Sequence, residues 1–563
     1  MNRPVEAGAS GRVRASGRNI ASTLTERAKE RPGSPAVISP GRRGRPEQAC
    51  TFEELDRRSD ILAAGLTRVG IGAGARAALM VPPSIEMFSL VFAVFKAGAV
   101  PVIADPGLGA AAVGRCLAEA APDAFIGVPL AQAARAALGW GRATIRRIVT
   151  TGRFRMGGGW TLRDLERLGE RDLPFRTPPP GATAAVLFTS GSTGPPKGVV
   201  YTHDHFLAQV EALRATYSIE PGEVDLCTFP LFALFAPALG MTAVLPDMDP
   251  TRPARADPEK IVRDLIAYRV TNFFGSPALL RNLGRHGTAR GTRLPSLRRI
   301  VSAGAPVPAR VVEPVARMLA ESVQVYTPYG ATEVLPVTSI GSDEILQGTR
   351  ALTDEGRGIC VGRPVPGVEV EIIHVRDGTI ERWSDDLRVP AGVTGEICVR
   401  GPMVTREYLA RPDATRQAKI EAEPLGEGFF HRMGDVGWRD DAGRIWFCGR
   451  KSQRVVSGRS VLFTIPCEAV FNTHPRVARS ALVALRGPAG VEPGLCVELE
   501  RPSSHGERGK VSAELLEIGQ RHEHTRAICR IYFHRSFPVD VRHNSKIARE
   551  KLARWAESRT SWA

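Results

Sequence analysis

The chain has 563 residues, of which 43% are apolar and 24% charged, an ordinary composition for a globular protein with more than one core. Its formal net charge of +16 suits anionic ligands. The basic residues are scattered, with no zinc-finger spacing and no basic stripe with interleaved aromatic residues, so we do not expect nucleic-acid binding.

The cysteines and the N-terminus indicate a cytoplasmic setting. Nine cysteines stand singly without a C-x-x-C pair, which favours reduced thiols over disulfides or a zinc site. Residues 1–20 contain arginines but no apolar leader segment, so they are predicted to form a disordered basic arm.

One uncharged stretch, residues 226–246, has the length of a membrane span. It contains Pro230, Pro237, Gly240 and Pro246, which disfavour a continuous helix. A buried strand, loop and helix beside an apolar ligand is the preferred interpretation, and no transmembrane segment is expected.

The first third of the chain alternates between strand and helix patterns. Capping-box signatures occur at Thr23-x-x-Glu26 and Thr51-x-x-Glu54. Strands are predicted at 75–81, 100–103, 123–127 and 146–149, and helices at 85–96, 109–119 and 129–137. The alternation predicts an α/β fold with mostly parallel sheets covered by helices.

A loop of small and hydroxyl residues follows the apolar run 184–188 and precedes a second strand at 199–201. The loop comprises Thr189, Ser190, Gly191, Ser192, Thr193 and Gly194, and Lys197 follows. Backbone N–H groups, hydroxyls and a lysine at this spacing predict a phosphate-binding loop, although a flexible surface hairpin has the same composition. Pro196 before the lysine excludes a Walker loop, and Ser190 excludes a nucleophile elbow.

The next elements are predicted helices at 204–217 and 258–268 and a strand at 270–274. The strand-like run 300–303 ends in Gly304, Ala305 and Pro306, where either a flat ring packs on the backbone or the chain turns tightly. Residues 365–410 alternate in a way that predicts a small β-rich subdomain.

The phosphate loop, together with Tyr329-Gly330-Ala331-Thr332-Glu333, resembles the adenylate-forming superfamily of acyl-CoA synthetases, luciferases and peptide-synthetase adenylation domains. The resemblance implies ATP and Mg²⁺ as cofactors. It also implies that Tyr329 stacks on adenine, Thr332 bonds the α-phosphate, Glu333 holds Mg²⁺ and the segment 304–306 lines the adenine pocket. Gly330 and Ala331 would line the nucleotide site, and Asp435 would bind ribose.

Two further segments resemble the C-terminal part of that superfamily. Gly449-Arg450-Lys451-Ser452 resembles the start of the hinge, with Arg450 at the nucleotide and Ser452 as the hinge residue. The resemblance divides the chain into an adenylation domain, 21–449, and a small mobile α+β domain, 450–563. Lys546 matches the adenylation lysine, although a plain lysine before an amphipathic helix gives the same pattern.

Four segments, 229–240, 330–336, 466–475 and 542–552, resemble one branch, the β-lactone synthetases of bacterial long-chain olefin biosynthesis. The branch implies ATP-dependent adenylation of a long-chain 2-alkyl-3-hydroxyalkanoic acid and attack by its own 3-hydroxyl, giving a β-lactone, AMP and pyrophosphate. Phe232, Ala233 and Phe235 would line the acyl pocket, with Ala233 where coenzyme A synthetases usually carry histidine. His203, His205 and the leaving phosphate are the candidate bases.

Two other functions compete with this one. A long-chain acyl-CoA or acyl-carrier-protein ligase is the first, although residues 455–458 depart from the segment that shapes a pantetheine channel. The second is a non-catalytic nucleotide-binding regulator, which the joint presence of the expected catalytic residues disfavours. Resemblance to this branch also implies possible assembly with two other enzymes of the olefin pathway, a β-lactone decarboxylase and a ketoacid reductase.

Overall fold

The computed structural model describes residues 18–42, 46–170, 179, 181–188, 195–423, 425, 428–487, 490–539 and 547–560. The predicted loop residues Thr189, Ser190, Gly191, Ser192, Thr193 and Gly194 and the predicted adenylation lysine, Lys546, lie outside these ranges.

The first part of the chain alternates between helices and strands, as its pattern predicts. Its elements are α1 Ser22–Glu30, β1 Pro35–Ser39, β2 Gln48–Thr51, α2 Phe52–Arg68, β3 Arg76–Met80, α3 Ile85–Lys96, β4 Val100–Ile103, α4 Ala110–Ala120, β5 Ala124–Gly127, α5 Pro129–Leu138, β6 Arg147–Thr150, β7 Trp160–Thr161 and α6 Leu162–Gly169.

The central part begins with the hairpin that carries the predicted phosphate loop. Its elements are β8 Thr183–Phe188, β9 Gly198–Thr202, α7 His203–Tyr217, β10 Val224–Leu226, α8 Pro230–Ala233, α9 Phe235–Leu239, β11 Thr242–Val244, α10 Pro258–Ala267, β12 Asn272–Phe274, α11 Pro277–Arg290, β13 Arg299–Val301, α12 Ala309–Ala316 and β14 Gln324–Tyr326.

The last part is richer in strands. Its elements are β15 Tyr329–Ala331, β16 Val334–Ser339, α13 Ser342–Glu344, α14 Arg350–Asp354, β17 Ile359–Pro364, β18 Glu369–Ile373, β19 Gly395–Arg400, α15 Pro412–Ala418, β20 Lys419–Glu421, β21 Phe429–Arg439, β22 Ile445–Arg450, β23 Val455–Ser457, β24 Ser460–Leu462, α16 Thr464–Asn472, β25 Val477–Gly487, β26 Gly490–Leu499, α17 His505–Gln520, β27 Arg530–Phe533 and α18 Arg549–Glu557.

Two largely parallel sheets of similar size form the body of the fold. One has the strand order β7-β6-β5-β3-β4-β8-β9 and the other β14-β13-β12-β10-β11-β1-β2. Within them, only the pairs β8–β9 and β1–β2 are antiparallel among the strands of the described ranges. The predicted α/β class is confirmed, and ligands of such sheets bind at the carboxyl ends of the strands, where β8 leads into the predicted loop.

A third sheet is antiparallel and contains the predicted β-rich subdomain. Its order is β15-β16-β17-β22-β21-β19-β18, with β20 paired to β21. The chain leaves this sheet after β22, passes through the short 3₁₀ turn Lys451–Gln453 and enters the small sheets β23-β24 and β25-β26-β27. The turn therefore lies where the chain changes from one group of sheets to the next.

The helix start at Thr51 is confirmed, whereas the one at Thr23 is wrong. Thr51 accepts a hydrogen bond from the Glu54 N–H, and Glu54 bonds back to Thr51. Thr23 lies inside α1, which has no side-chain cap, and its hydroxyl donates to the Ile20 carbonyl at 2.6 Å. The backbone already continues as helix before Thr23, so the threonine is too late to cap it.

The chain packs against the fold from a residue nearer the N-terminus than the sequence predicts, since the predicted disordered arm extends to residue 20. Ile20 is buried, and its N–H donates to His203 Nδ1 at 3.3 Å. Asn19 donates to the Phe95 carbonyl at 2.6 Å. The predicted disordered arm therefore does not extend to Ile20, because this end of the chain packs against α3 and α7.

The uncharged stretch 226–246 contains the end of β10, two short helices and β11. Leu239, Met241 and Val244 are buried there, as predicted for a segment inside the fold. Of the helices in the described part of the chain, none combines the length and apolar character that a membrane crossing needs.

All nine cysteines are free thiols, as predicted, and eight of them are buried. Cys529, just before β27, is the exposed one. Burial raises the pKa of the other thiols, for example to about 11 for Cys50 and Cys360.

Candidate active site

The β8–β9 hairpin brings Lys197 to one side of a large cavity. Lys197 immediately precedes β9, and its Nζ lies 4.7 Å from the centre of the Tyr408 ring. A backbone bridge between Val199 and Tyr408 holds the two segments together. Lys197 and Tyr408 both line the cavity, so the hairpin delivers a positive charge to it.

The turn that contains Thr332 and Glu333 is fixed from both sides. The Tyr408 hydroxyl donates to Glu333 Oε1 at 2.6 Å, and Thr405 donates to the Glu333 carbonyl through its N–H at 2.9 Å and its hydroxyl at 3.0 Å. The buried Tyr201 hydroxyl donates to the Thr332 carbonyl. Burial and the Glu333 carboxylate raise the pKa of Tyr408, which keeps its hydroxyl a donor.

The predicted adenine and ribose residues meet at the other side of this turn. The Tyr329 hydroxyl donates to Asp435 Oδ2 at 2.7 Å, and Arg450 Nη1 lies 3.0 Å from Asp435 Oδ1. Arg450 also donates to the Met433 carbonyl at 3.2 Å. Asp435 is buried beside Arg450, an arrangement in which a carboxylate can still accept hydrogen bonds from vicinal hydroxyls.

The predicted ring-binding segment is only partly at the cavity. Ala303 and Gly304 line it together with Gly330 and Ala331. Gly304 has a φ of 96°, which a side chain would strain. Ala305 and Pro306 follow it along the chain but are not among the residues that line this cavity.

The cavity has a volume of about 1380 Å³ and extends from Lys197 and Glu333 into apolar surroundings. Its apolar side is formed by α3, α7 and α9 and by an aromatic group in which the Phe232 ring lies 4.9 Å from Phe229 and 4.7 Å from Phe274. Phe232 and Phe235, which the resemblance assigns to an acyl pocket, both line this cavity.

Ala233 does not line the cavity, which corrects the prediction for that residue. It is 2% exposed and packs within the core cluster that surrounds α1, α3 and α9. The next residue, Leu234, faces the cavity. Neighbouring side chains on a helical turn point in different directions. The sequence of the segment therefore does not show which side chain faces the cavity.

His203 and His205, two of the candidate bases, form hydrogen bonds inside the fold and away from the cavity lining. Each is 5% exposed. His203 Nδ1 accepts the Ile20 N–H, and His205 Nδ1 accepts the Thr202 N–H at 3.0 Å as part of the capping box of α7. Burial lowers the pKa of both imidazoles to about 4. Neither lines the cavity, so the structure gives them a packing role.

The sequence analysis missed Lys419 and His431, which face each other as a registered pair between β20 and β21. Lys419 donates to the Thr405 carbonyl, and burial lowers its pKa to about 7 although the Glu333 carboxylate opposes the shift. His431 is 2% exposed and lines the cavity. Neither residue belongs to a motif, and the strand pairing that joins them is not visible in the sequence.

The turn at the predicted hinge is held by buried charges. Lys451 Nζ lies 3.0 Å from Glu396 Oε1, and the Arg432 guanidinium lies 2.7 Å from Glu396 Oε2. Lys451 also donates to the Arg376 carbonyl at 2.8 Å. Ser452, the predicted hinge residue, lines the cavity beside this group.

The helix that follows Lys546 is anchored to the same region. Arg549, the first residue of α18, donates to Glu468 Oε2 at 3.0 Å and to Gln453 Oε1 at 3.2 Å. Glu468 also accepts the Leu482 N–H at 2.8 Å. This network fixes the chain just after Lys546 to the turn at Lys451–Gln453.

The residues around Glu333 fit a magnesium ion shared with phosphates better than a metal held by protein alone. Across the described ranges no group of three or more histidine, cysteine or carboxylate side chains could hold a metal. Mg²⁺ commonly takes one or two carboxylates and completes its shell with phosphate oxygens and water. Glu333, a single carboxylate beside Lys197, matches that requirement.

The chain matches the family model of the AMP-binding enzymes over residues 24–409, and it therefore belongs to that family. Two relatives are each named olefin beta-lactone synthetase. The protein from Xanthomonas campestris pv. campestris is 48% identical over 96% of this chain and 97% of its own length. The one from Stenotrophomonas maltophilia is 49% identical over 96% of this chain and 98% of its own.

More distant similarities agree with this membership. A long-chain-fatty-acid–CoA ligase from Thermus thermophilus is 28% identical over 80% of this chain and 81% of its own. Among solved structures, the amide bond synthetase McbA from Marinactinospora thermotolerans matches 95% of this chain and 99% of its own with a TM-score of 0.77 and 25% identity. The o-succinylbenzoate CoA synthetase from Bacillus subtilis, solved with an acyl-adenylate, shares the fold with a TM-score of 0.72 and 21% identity over 94% of this chain and 97% of its own.

Proposed function

We propose that this protein is an ATP-dependent, AMP-forming ligase that converts a long-chain 2-alkyl-3-hydroxyalkanoic acid into a β-lactone. The observation that carries the proposal is the 48–49% identity, over nearly the whole length of both chains, with proteins named olefin beta-lactone synthetase. The apolar cavity that reaches Glu333 and Lys197 supports an acyl substrate with long alkyl chains.

Adenylation requires a carboxylate placed in line with the α-phosphate and cations that neutralise the phosphate charge. In the proposal the loop 189–194 and Lys197 bind the phosphates, Thr332 bonds the α-phosphate and Lys546 approaches from the C-terminal domain, 450–563. Mg²⁺, held by Glu333, would supply charge neutralisation there. Tyr329, Asp435 and Arg450 would bind the nucleoside, and their contacts with one another support a common site.

Ring closure uses the substrate's own hydroxyl as nucleophile. The 3-hydroxyl attacks the acyl carbon, the bond from that carbon to the AMP oxygen breaks, and AMP leaves with the electron pair. An internal nucleophile has a high effective concentration, which offsets part of the strain of a four-membered ring. The apolar surroundings exclude water that would otherwise hydrolyse the adenylate.

The apolar lining of the cavity supports a substrate with long alkyl chains. One apolar lining comes from α3, α7 and α9, with Met87, Phe92 and Leu239, and a second comes from the aromatic group Phe229, Phe232 and Phe274. A 2-alkyl-3-hydroxy acid has two alkyl chains that diverge from the carboxyl end. We propose that these linings contact the alkyl chains.

The mass of the product tests the function. The enzyme is incubated with ATP, Mg²⁺ and a racemic long-chain 2-alkyl-3-hydroxy acid, with and without coenzyme A. The proposal expects a product of the mass of the acid minus water in both reactions, with AMP and pyrophosphate formed in equal amount. A thioester formed only with coenzyme A would instead establish the alternative, a long-chain acyl-CoA ligase.

We further propose that the enzyme works in the cytoplasm and passes its lactone to the next enzyme of the olefin pathway. A strained lactone hydrolyses in water, so direct contact with a β-lactone decarboxylase would limit its loss, while contact with a ketoacid reductase would supply the hydroxy acid. Co-purification of tagged enzyme with those proteins tests this assembly.

A further inference from the structure

The helix α5 has its polar side chains on the inner side. Gln132 is buried and donates to the Val149 carbonyl at 2.9 Å, and Arg135 is half-buried with its guanidinium over the Phe125 ring. The exposed residues of α5 are all apolar, namely Pro129, Leu130, Ala133, Ala136, Ala137 and Leu138. A surface helix normally turns its polar side chains to solvent. The apolar face of α5 therefore lacks a covering element within the described part of the chain.

An exposed aromatic side chain extends this face. Phe154 and Leu130 are each 80% exposed. The loop that carries Phe154 runs beside α5, because a Cβ placed on Gly152 would lie only 2.9 Å from Pro129 Cγ. Large apolar side chains that are exposed next to one another mark a surface that binds something.

The apolar face of α5 is continuous with the cavity of the candidate active site. Leu130, Ala131 and Ala134 all line that cavity. Leu130 is also exposed, so it lies where the cavity reaches the surface of the protein. A long-chain acid that enters here would contact apolar side chains all the way from the surface into the cavity.

The chain around this face is strongly basic. Residues 106–163, which include α4 and α5, contain eight arginines but only two carboxylates, Glu119 and Asp123. Both carboxylates already have partners, since Glu119 lies 2.6 Å from Arg411 and Asp123 accepts the Arg76 N–H at 2.9 Å. The exposed arginines include Arg142, Arg146 and Arg153. Apolar side chains surrounded by excess positive charge are the combination that binds anionic lipid surfaces.

We propose that the apolar face of α5, together with Phe154 and the surrounding arginines, binds an anionic lipid bilayer and takes the long-chain acid from it. The identity of the acid rests on the proposed function: two long alkyl chains make it poorly soluble in water and favour its partition into a bilayer. The helix has 10 residues, too few to cross a membrane, so it lies in the interface.

A second copy of this chain fits the face less well than a bilayer. Most homodimers have two-fold symmetry, so the same surface of each copy would meet at the interface. The arginines around α5 would then face the same arginines of the other copy, and like charges repel. An anionic bilayer is complementary to both the apolar and the basic parts of the surface.

Flotation with lipid vesicles tests this surface without any substrate. Full-length enzyme is mixed with vesicles of phosphatidylglycerol and phosphatidylcholine in equal amounts, or of phosphatidylcholine alone. The variants are Phe154→Glu, Leu138→Glu and Arg142→Glu, and none of these residues is among those that line the cavity. Ile266→Glu is the matched control, because Ile266 is an apolar residue of α10 that is 54% exposed, against 53% for Leu138. Arg501→Glu, at an exposed position of the C-terminal domain, controls for the change of charge.

We expect the wild type to bind the anionic vesicles at least about 10-fold more tightly than the neutral ones, and to lose this preference in about 0.5 M salt. Phe154→Glu and Leu138→Glu should each weaken binding about 10-fold, because a charge that the lipid repels replaces an apolar anchor. Arg142→Glu should weaken it about fivefold. Both controls should bind within about twofold of the wild type, since charges far from the bilayer are screened.

Turnover adds a second readout. With a long-chain acid embedded in anionic vesicles, Phe154→Glu should turn over about 10-fold more slowly than the wild type, in proportion to its weaker binding. With a short-chain acid that is soluble without lipid, the two should have the same rate.

Three results would overturn the proposed lipid surface. They are a wild type that does not bind anionic vesicles, binding by Phe154→Glu that equals the wild type, and a lipid-free dimer that Leu138→Glu dissociates in analytical ultracentrifugation. The last result would assign the face to a second copy of the chain. A wild type that binds the vesicles but makes a thioester instead of a lactone would overturn the proposed function and leave the lipid surface supported.

Discussion

The Tyr408 hydroxyl donates a hydrogen bond to Glu333 Oε1 at 2.6 Å, while the face of its ring receives Lys197 Nζ at 4.7 Å. One side chain thus positions a carboxylate and an ammonium group that the sequence places more than a hundred residues apart. Tyr408 itself belongs to no motif that the sequence analysis recognised. A substitution that removes the Tyr408 hydroxyl but keeps the ring separates the contact with Glu333 from the contact with Lys197.

Tyr408→Phe should weaken adenylation while retaining the contact with Lys197. It removes a hydrogen bond to a carboxylate, worth roughly 1.5 kcal/mol, so acid-dependent pyrophosphate–ATP exchange should fall about 10-fold. A higher Mg²⁺ concentration should be needed for half-maximal exchange, because Glu333 loses its fixed orientation. Tyr532→Phe, which removes a hydroxyl bonded to Thr560 in the C-terminal domain, is the control. An unchanged Mg²⁺ dependence in Tyr408→Phe would contradict this assignment.

Lys546→Ala should lower pyrophosphate–ATP exchange by orders of magnitude and leave ATP binding nearly intact. In the proposed mechanism the lysine neutralises charge that develops on the phosphates during transfer, and such interactions act mainly in the transition state. Calorimetric titration with ATP and an exchange assay on the same preparation give the two quantities. Exchange at the wild-type rate would remove Lys546 from the mechanism.

Leu234→Trp should raise KM for long-chain acids more than for short ones, because the added volume lies in the cavity that we propose for the alkyl chain. Ala233→Trp is the matched variant from the adjacent position in the core. It should lower the free energy of unfolding by about 1–3 kcal/mol and should not discriminate between chain lengths. Chain-length series and urea denaturation of both variants provide the comparison, and discrimination by Ala233→Trp alone would reverse our placement of these residues.

Ser452→Pro should change adenylate formation and lactone release by the same factor. Proline fixes φ and disfavours helical geometry at the preceding residue, Lys451, which lies in the turn held by Glu396. The substitution therefore alters the predicted hinge, but the proposed internal nucleophile does not require a thiol to enter between the domains. Single-turnover measurement of acyl-AMP and lactone decides the matter: adenylate that accumulates without lactone would show that closure needs domain rotation.

Stability should decrease as the pH is lowered from 6.5 to 4, in part because of His203. The pKa of this imidazole is about 4 in the folded chain, against an ordinary value of 6.5 that we take for the unfolded chain. The unfolded chain therefore binds more protons than the folded chain between pH 4 and 6.5. The free energy of unfolding accordingly decreases as the pH is lowered through this range. His203→Asn should reduce this slope by about one proton, or about 1.4 kcal/mol per pH unit. His505→Asn, at an exposed position, serves as the control. Equal slopes for wild type and His203→Asn would contradict the lowered pKa.

The sequence predicted those parts of the fold that depend on local patterns. The β/α alternation and the capping box at Thr51 are local, and both are confirmed. The predicted cap at Thr23 is wrong because the preceding residues, packed on α3 and α7, already start the helix. The assignment of Ala233 to the pocket failed because helix orientation depends on tertiary packing.

The residues of the candidate site likewise include some that local motifs predict and others that only tertiary contacts bring together. Glu333, Tyr329 and Asp435 belong to recognisable motifs; the first two line one cavity, and Asp435 is bonded to Tyr329 there. The pairing of Lys419 with His431 and the contact of Lys451 with Glu396 depend on strand register across the third sheet. Such contacts join residues that carry no shared local signal, so one sequence does not reveal them.

The distribution of the thiols has a practical consequence for experiments on domain rotation. Eight cysteines are buried, and only Cys529 presents its thiol to solvent on the C-terminal group of sheets. A maleimide fluorophore added to the native protein would therefore attach at one defined place without any cysteine having to be removed. Its anisotropy, or energy transfer from a labelled ATP analogue, would test whether that domain moves during turnover.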